Sequence, residues 1–292
     1  GGGSVIDSAK AIAIGVCYDG DVWDFYSTSK QPEEKLPVGV VLTIPAAGSE
    51  SSDGSVITKE ETHEKLSCCC DLMFPEFAIL NPQLCYTLPQ NQIKAGGVDI
   101  LSHVMERYFV PNTETDVSDR LCEAAMQSVI YNLPRVLKNQ KDYDAWAEVM
   151  WTGNIAHSGL LGKGRRDDWA SHNIEHELSA FYDIAHGAGL AVIFPAWMRY
   201  VYKEHPGRFV QYAEKVWKID VSAMSEDEAC LAGIQATEKF FESLGMAIHL
   251  TDLGIGADQI ELMASKACRN GQLGSFKVLK KDDVKAIYEL AL

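Results

Sequence analysis

Three of the eight histidines in this 292-residue chain lie in one short stretch, DWASHNIEHELSAFYDIAHG, which begins at Asp168. His172 and His176 are four residues apart, and side chains at that spacing project from the same face of a helix with Cβ atoms about 5–6 Å apart. His186 ends the stretch, where Gly187 lets the backbone approach a neighbour closely. Because imidazole nitrogens are common metal ligands, this stretch predicts a metal site.

A second segment offers the oxygen ligand that such a site would use. In GGVDILSHVMERYF, Asp99 and His103 have the same four-residue spacing and would share a helical face. One carboxylate with several imidazoles suits Zn²⁺ or Fe²⁺, and such a site can leave a coordination position for a substrate oxygen. The pattern therefore indicates a catalytic metal rather than a structural one. The histidines without such spacing are interpreted as surface or packing residues: His63, His157, His205 and His249.

Two other interpretations of these residues remain open. HNIEH also matches H-x-x-E-H, the inverted zinc-peptidase motif, in which both histidines bind zinc and Glu175 activates a water molecule. That interpretation leaves Asp99, His103 and His186 without a role. A third interpretation is a non-catalytic fragment that keeps a metal site but does not turn over substrate.

The start of the chain is rich in glycine. GGGS is followed by VIDSAKAIAIG, which has apolar residues at helical spacing and Asp7 near its start. A flexible linker would have the composition of the first four residues. Their direct continuation into a helix instead predicts a glycine turn at a helix N-terminus, where free N–H groups and the helix dipole can hold a pyrophosphate. The turn is not G-x-G-x-x-G, so it does not identify a nucleotide site by itself.

The candidate residues are predicted to lie on two kinds of element. Up to Leu88, a helix is followed by short apolar runs in LPVGVVLTIPA, GSVIT and FAILNP, which is typical of an α/β unit. From Pro89 onward helical patterns take over, as in TDVSDRLCEAAMQSVIYNLPRVL, SEDEACLAGIQATEKFFESLG and DDVKAIYELAL. We therefore predict an α/β domain over residues 1–88 and an all-helical domain over residues 89–292.

Composition limits the classes of partner. The chain has a mass of 32.2 kDa and is 47% hydrophobic, which is enough to bury a sizeable core. A formal net charge of −15 and a pI near 4.9 disfavour binding to nucleic acid and to anionic membranes. No apolar run reaches the ~18 residues of a membrane span, and no secretory leader is recognisable. Eight cysteines, three of them consecutive, do not form a disulfide pattern, so a cytoplasmic location is expected.

Three blocks taken together resemble the iron-containing (group III) alcohol dehydrogenases, and the wider resemblance is closest to the butanol dehydrogenase branch. The blocks are GGGSVIDSAK, LTIPAAGSESSDGSVIT, and GGVDILSHVMERYF followed by HNIEHELSAFYDIAHG. The resemblance covers essentially the whole chain. It implies a partial α/β nucleotide-binding domain with a parallel sheet, followed by an all-α metal-binding domain. Members have roughly one further α/β half-unit before the glycine turn, so an N-terminally incomplete chain is expected.

The resemblance also implies an activity. It is that of a metal-dependent alcohol dehydrogenase or aldehyde reductase, which transfers hydride between a primary, butanol-like aliphatic alcohol and NAD or NADP. The metal would be Fe²⁺ or Zn²⁺, the partner a small alcohol or aldehyde, and the assembly a homodimer. The choice between NAD and NADP stays open, because the residue that discriminates them normally lies before the glycine turn.

Site residues follow from the resemblance position by position. The implied metal ligands are Asp99, His103, His172 and His186. His176 is expected beside the nicotinamide as a catalytic positioning or proton-relay group, which corrects the assignment from spacing alone. Ala185 stands where the family usually has proline, and this is expected to loosen the turn before the last ligand. The implied cofactor positions fall in the glycine turn, in a second loop, at a lysine and on an apolar wall: Gly2, Gly3, Ser4 and Asp7; Thr43, Ala46, Ala47 and Ser52; Lys65; Leu84 and Leu88.

Overall fold

The structure is a computed structural model that describes residues 1–112 and 114–292. Its N-terminal part mixes helices and short strands: α1 Gly3–Gly15, α2 Asp24–Ser27, β1 Gly39–Leu42, β2 Gly54–Lys59, β3 Glu64–Cys69 and β4 Phe77–Leu80. The predicted strand segments GSVIT and FAILNP coincide with β2 and β4. The segment that forms β3 was not predicted, because EKLSCC has neither the alternation nor the β-branched residues of a typical strand.

The strands form two separate pairs. β1 and β4 are parallel, with Val40 opposite Ala78 and Leu42 opposite Leu80. β2 and β3 form an antiparallel hairpin, in which Thr58 pairs with Lys65. A parallel pair requires a crossover connection, and here the crossover contains the β2–β3 hairpin. The predicted α/β unit with a partial parallel sheet is confirmed.

The rest of the chain is helical, as predicted. Its helices are α3 Gln90–Tyr108, α4 Asp116–Lys138, α5 Tyr143–His157, α6 Ala170–Tyr182, α7 His186–Val201, α8 Pro206–Lys215, α9 Glu226–Ser243, α10 Ile260–Ala267 and α11 Lys281–Leu290. α9 begins with a capping box: Ser225 Oγ accepts from Glu228 N at 3.3 Å, and Ser225 N donates to Glu228 Oε2 at 2.8 Å. Gly245, with φ +72°, follows its C-terminus.

α3 is the central helix. It packs against α4, α5 and α7, and its residues from Ala95 to Tyr108 are all buried. The main hydrophobic core joins α1 and β1 to the helical part, since Ile6, Val40 and Leu42 belong to the same cluster as Ile93. Buried apolar contacts therefore cross the predicted boundary at Leu88. Within the described residues, no helix combines the length and the apolar character needed to cross a membrane.

Candidate metal centre

One face of α3 carries polar side chains inside the core. Asp99, His103 and Glu106 follow one another at spacings of four and three residues, which places them on the same helical face. They are 4%, 3% and 0% exposed. Because buried charged groups are stable only when they are paired or coordinated, this face requires partners from neighbouring helices.

Those partners come from α6 and α7. Asp99 Oδ1 lies 3.4 Å from His103 Nε2, 4.0 Å from His172 Nε2 and 3.9 Å from His186 Nε2. Ligand atoms of Asp99, His172 and His186 lie within 4.8 Å of one another, and His103 is not a member of that trio. Three imidazoles thus surround the Asp99 carboxylate, although their ligand atoms are not equally close to one another.

Several of these atoms lack a hydrogen-bond partner among the described residues. They include Asp99 Oδ1, His172 Nε2 and both ring nitrogens of His103. A buried polar atom without a partner costs about 1–3 kcal/mol, so a cluster of them indicates an absent ligand. Metal bonds of about 2.0–2.2 Å in a tetrahedral site place ligand atoms roughly 3.4 Å apart. The observed separations from Asp99 are close to that value, so the residues fit a divalent cation.

Buried carboxylates hydrogen-bond the Nδ1 atoms of two of the imidazoles. His172 Nδ1 donates to Glu106 Oε1 at 2.7 Å, and His172 N donates to the same oxygen at 3.1 Å. His186 Nδ1 hydrogen-bonds Glu175 Oε2. Glu175 Oε1 in turn accepts from Ser179 Oγ at 2.5 Å. A proton on Nδ1 leaves the Nε2 lone pair of each ring free to bind a metal.

Burial determines the charge state of the centre. It lowers the pKa of His172 to about 4 and those of His103 and His186 well below the ordinary value, so the imidazoles are neutral at physiological pH. It also raises the pKa of Asp99 to about 7 and that of Glu106 to about 8. Neutral imidazoles are the metal-binding form, and a cation would favour the ionised carboxyl groups. The electrostatics therefore also suit a divalent cation.

Two aromatic side chains that sequence reasoning did not assign to the site enclose it. Trp169 precedes α6 with φ +63°, and its ring centroid lies 5.1 Å from that of His172. The ring centroid of His157 lies 4.4 Å from that of His103, and His157 Nδ1 donates to Ala47 O at 2.6 Å. The absence of a spacing pattern had set His157 apart from the site. Its position depends on how α5 packs against α3, which spacing within one helix does not reveal.

His176 does not belong to the trio around Asp99. Its ring centroid lies 5.4 Å from that of His186, and the side chain lines a cavity of about 140 Å³ together with Lys65 and Asn173. Lys65 Nζ lies 3.5 Å from His186 Nδ1 and 3.8 Å from Glu175 Oε2. The cavity therefore adjoins the candidate metal centre. The peptidase interpretation is not favoured, because the Glu175 carboxylate is bonded to His186 and Ser179.

The glycine turn is an integral part of the fold. A Cβ on Gly2 would lie 2.0 Å from Ile44 Cγ2, so any other residue here would force the Ile44 side chain to shift. Gly3 and Ser4 form the first turn of α1, and Ser4 is exposed. Both oxygens of Asp7 accept hydrogen bonds within the protein, from Ser49 Oγ at 2.5 Å and Val56 N at 2.9 Å. Asp7 therefore connects α1 to the second loop and to β2.

The second loop runs from β1 towards β2 and lies beside the glycine turn. Thr43 N donates to Gly1 O at 3.0 Å, which joins the two segments. Ala46 and Ala47 are half-buried, and Ser52 is buried. Lys10, which sequence reasoning did not select, is 1% exposed and donates from Nζ to Ser52 O at 3.0 Å and Gly54 O at 2.8 Å. The polar atoms of Ser52 thus already bond to protein.

The remaining cofactor positions lie on different elements. Lys65 is on β3, which contacts α6, and it faces the cavity beside His176. Leu84 and Leu88 follow β4; Leu84 is 41% exposed, and Leu88 packs against the main core. Ala185 has φ −61°, close to the value that proline imposes. Its carbonyl accepts from Ala188 N at 2.8 Å, so this turn has the proline-like backbone without proline.

A buried carboxylate and converging imidazoles beside an α/β unit are typical of metalloenzymes. Two family models match the chain. One, described as iron-containing alcohol dehydrogenase, matches residues 1–82, and the other, described as the C-terminal part of the Fe-containing alcohol dehydrogenase family, matches residues 93–292. The chain belongs to the iron-containing alcohol dehydrogenase family, as its sequence motifs predicted.

Individual relatives are similar over the full length of the chain. The probable NADH-dependent butanol dehydrogenase 1 of Bacillus subtilis (strain 168) is 44% identical over 292 residues, covering 100% of this chain and 76% of the relative. The NADPH-dependent aldehyde reductase YqhD of Escherichia coli (strain K12) is 37% identical over 296 residues, with coverage of 100% and 76%. The crystal structure of NADH-dependent butanol dehydrogenase A from Thermotoga maritima superposes with a TM-score of 0.95 at 38% identity, covering 99% of this chain and 74% of that one.

Proposed function

We propose that this protein is a metal-dependent alcohol dehydrogenase or aldehyde reductase that transfers hydride between a primary, butanol-like aliphatic alcohol and NAD or NADP. The observation that carries the proposal is the convergence of three Nε2 atoms on Asp99 Oδ1, at 3.4 to 4.0 Å, in a chain of this family. The butanol dehydrogenase and aldehyde reductase relatives support the substrate class. They use NADH in one case and NADPH in the other, which supports either cofactor.

The proposed metal ligands are Asp99, His172 and His186, with His103 as the fourth. One carboxylate with three neutral imidazoles suits Fe²⁺ or Zn²⁺. When bound, the metal and the nicotinamide supply Lewis-acid polarisation of the substrate oxygen and exchange of hydride, respectively. The Trp169 ring and the surrounding helices shield Asp99, His103 and His172, which are buried, from water.

His176 is the proposed catalytic imidazole. Burial lowers its pKa well below the ordinary value, so the ring is neutral and keeps a nitrogen lone pair that can accept a hydrogen bond. Its position in the cavity beside His186, together with Lys65, supports a role in positioning the nicotinamide or in relaying the alcohol proton. The proposed cofactor contacts comprise the glycine turn, the second loop, the lysine and the apolar wall: Gly2, Gly3, Ser4 and Asp7; Thr43, Ala46, Ala47 and Ser52; Lys65; Leu84 and Leu88.

The proposal also covers the domain division, the cellular location and the assembly of the protein. One family match ends at residue 82 and the other begins at residue 93, which supports a division into domains near Leu88. All eight cysteines are free thiols, which supports a reducing, cytoplasmic location. One face of the parallel strand pair exposes Val41, Phe77 and Ile79 at 45%, 58% and 51%, which supports a homodimer or another association that covers this face.

The proposal is tested by an anaerobic assay of the metal-free protein after addition of Fe²⁺ or Zn²⁺, with butanal and either NADH or NADPH. We expect oxidation of the nicotinamide, followed by its absorbance, only when metal and aldehyde are both present. Asp99→Asn should abolish this reaction. A protein that binds metal but oxidises neither cofactor would contradict the proposed activity and favour the non-catalytic interpretation. Cleavage of a peptide under the same conditions would support the peptidase.

A further inference from the structure

Two glutamates behind the metal centre resemble each other in environment. Glu106 and Glu175 are both 0% exposed, and each bonds the Nδ1 of one imidazole whose Nε2 faces Asp99. They belong to different helices, α3 and α6. A buried carboxylate is expensive to desolvate, so its presence at both rings requires a compensating interaction.

We propose that Glu106 and Glu175 are positioning residues that set the tautomer, direction and basicity of His172 and His186, and thereby the affinity of the centre for its metal. The inference rests on the proposed function only in assuming that the centre binds a divalent metal. A carboxylate that accepts from Nδ1 directs the Nε2 lone pair towards the ion and raises the electron density of the ring.

The surroundings of Glu175 fix its carboxylate in place. A Cβ on Gly189 would lie 2.3 Å from Glu175 Oε1, so α7 approaches this oxygen at a residue without a side chain. Ser179 Oγ donates to the same oxygen, and Lys65 Nζ lies 3.8 Å from the other one. Glutamine at this position can keep both hydrogen bonds, because its carbonyl can face His186 and its amide can donate to the Ser179 hydroxyl. Glu175→Gln therefore removes the charge, and with it the ion pair to Lys65, while keeping the hydrogen bonds to His186 and Ser179.

Glu106 has an additional task. Its Oε2 accepts from Trp169 N at 2.6 Å while Oε1 accepts from two nitrogens of His172. The N-cap residue Trp169 provides no side-chain cap for α6. Glu106 accepts from the N–H groups of Trp169 and His172, while Asp168 Oδ2 accepts from Ala170 N. In Glu106→Gln the new amide would face Trp169 N–H, which is also a donor. We therefore expect Glu106→Gln to lose more metal affinity than Glu175→Gln.

The test measures metal affinity in the metal-free protein by competition with a chromophoric chelator for Zn²⁺. Glu175→Gln and Glu106→Gln should weaken binding by roughly 10-fold and 100-fold, the usual range for loss of such a partner. Glu175→Ala should weaken Zn²⁺ binding more than Glu175→Gln, because alanine removes the hydrogen bond that orients the His186 ring as well as the charge. The matched control is Glu177→Gln, which removes a buried carboxylate on the same helix that bonds Arg269 and no candidate ligand.

A second readout separates positioning from general stability. In ¹⁵N NMR spectra of the Zn²⁺-loaded wild type, the rings of His172 and His186 should carry a proton on Nδ1. Glu175→Gln should keep that signal for His186, whereas Glu175→Ala should lose or shift it. Circular dichroism reports whether each variant folds. If Glu106→Gln does not fold, the metal affinity of Glu175→Gln still tests the proposal.

The proposal would be overturned if Glu175→Gln and Glu175→Ala both bound Zn²⁺ as tightly as the wild type, or if Glu177→Gln lost as much affinity as Glu175→Gln. The proposed activity can fail separately. Weak metal binding by the variants, with no aldehyde reduction by a metal-loaded wild type, would refute that activity and leave the positioning role intact. Unchanged affinity in variants of an active enzyme would refute the positioning role alone.

Discussion

His172 and His176 lie one helical turn apart on α6, yet they have different surroundings. His172 Nε2 lies 4.0 Å from Asp99, whereas His176 lines the cavity beside Lys65 and Asn173. Spacing determines which face of a helix a residue occupies. It does not determine which neighbouring element that face meets. The cavity that His176 lines is formed largely by β3 and by the segment after α10, whereas the His172 side chain faces Asp99 on α3.

This difference leads to a prediction for two alanine variants. His172→Ala should lose the metal and with it all turnover, because it removes a proposed ligand. His176→Ala should keep the metal and slow the reaction by about 10²–10⁴-fold, the usual contribution of a positioned acid or base. Metal content by atomic emission and nicotinamide oxidation should be measured on the same samples. Equal loss of metal in both variants would contradict the assignment.

A second prediction concerns pH. In the metal-free protein, burial raises the pKa of Asp99 to about 7, of Glu106 to about 8 and of Glu175 to about 7. Between about pH 4 and pH 8 these three carboxyl groups hold more protons in the folded protein than in the unfolded chain. The stabilisation from these groups is therefore fully present below about pH 4 and declines as pH rises from about 4 to about 8. A divalent metal binds the deprotonated site and offsets this loss.

The increase in Tm caused by Zn²⁺ should therefore be larger at pH 8 than at pH 6, because fewer protons have to be displaced. Thermal unfolding followed by circular dichroism, with Zn²⁺ or with a chelator, measures this increase at each pH. Asp99→Asn is the control, and Zn²⁺ should produce little increase in its Tm. An increase in the wild type that is equal at the two pH values, or smaller at pH 8, would count against a carboxylate-rich metal centre.

For individual residues, the sequence identified the candidate ligands but not the buried carboxylates that hydrogen-bond them. Asp99, His172 and His186 were predicted, and the structure brings their ligand atoms within 4.8 Å of one another. Their role as ligands stays a prediction. Glu106 was overlooked, although it lies on the same helical face seven residues after Asp99. A glutamate on a helix is usually solvated, so only the packing of α6 against α3 identifies this one as buried.

The elements that carry the ligands are held together by close backbone contacts. A Cβ on Gly187 would lie 1.9 Å from Ala95 O, and a Cβ on Gly96 would lie 2.5 Å from Pro45 O. α3 therefore touches both the start of α7 and the second loop without intervening side chains. This arrangement positions His186 at the N-terminus of α7, next to α3 and its carboxylate Asp99.

Gly187→Ala should therefore disturb the centre even though it adds only a methyl group. The overlap with backbone allows no side-chain adjustment, so we expect a loss of about 1–3 kcal/mol in the free energy of unfolding together with weaker Zn²⁺ binding. Denaturant unfolding and metal competition measure the two effects. Gly207→Ala in α8 is the control, since a Cβ there meets nothing within 4 Å. Equal stability of both variants would contradict the close approach.

The helices were more predictable than the strands. Long apolar periodicities identified α4, α9 and α11 from the sequence, because a helix is defined by local spacing. β3 has no such pattern and depends on pairing with β2, for example between Lys65 and Thr58. The closure of the second loop by Lys10 was also invisible, since a lysine in an amphipathic helix is normally assigned to solvent.

Across the whole molecule, the two parts predicted on either side of Leu88 share one core. Ile6, Val40 and Leu42 belong to the same buried cluster as Ile93 and Val98. A smaller separate cluster is confined to the N-terminal part and includes Phe25, Tyr26 and Met73. The local apolar patterns of the sequence predicted an α/β unit followed by helices, and this order is confirmed. The continuity of the core is a property of tertiary packing that composition does not reveal.

This continuity predicts a single cooperative transition for the metal-free protein in differential scanning calorimetry. Contacts that cross Leu88 would be lost if either part unfolded alone, so the calorimetric and van't Hoff enthalpies should agree. Val40→Ala, which removes buried contacts within this shared core, should lower the transition temperature of the whole protein. Two resolved transitions, only one of them shifted by Val40→Ala, would contradict a shared core.

The central claim is that a divalent metal binds where Asp99, His172 and His186 converge, with His103 beside them. Anomalous diffraction from crystals grown with Zn²⁺ tests it most directly, because it locates the ion without reference to activity. The account predicts one strong anomalous peak within bonding distance of Asp99 Oδ1 and of Nε2 of His172 and His186. A peak between His172 and His176 and away from Asp99, or no peak at this centre in a protein that binds Zn²⁺ elsewhere, would contradict it.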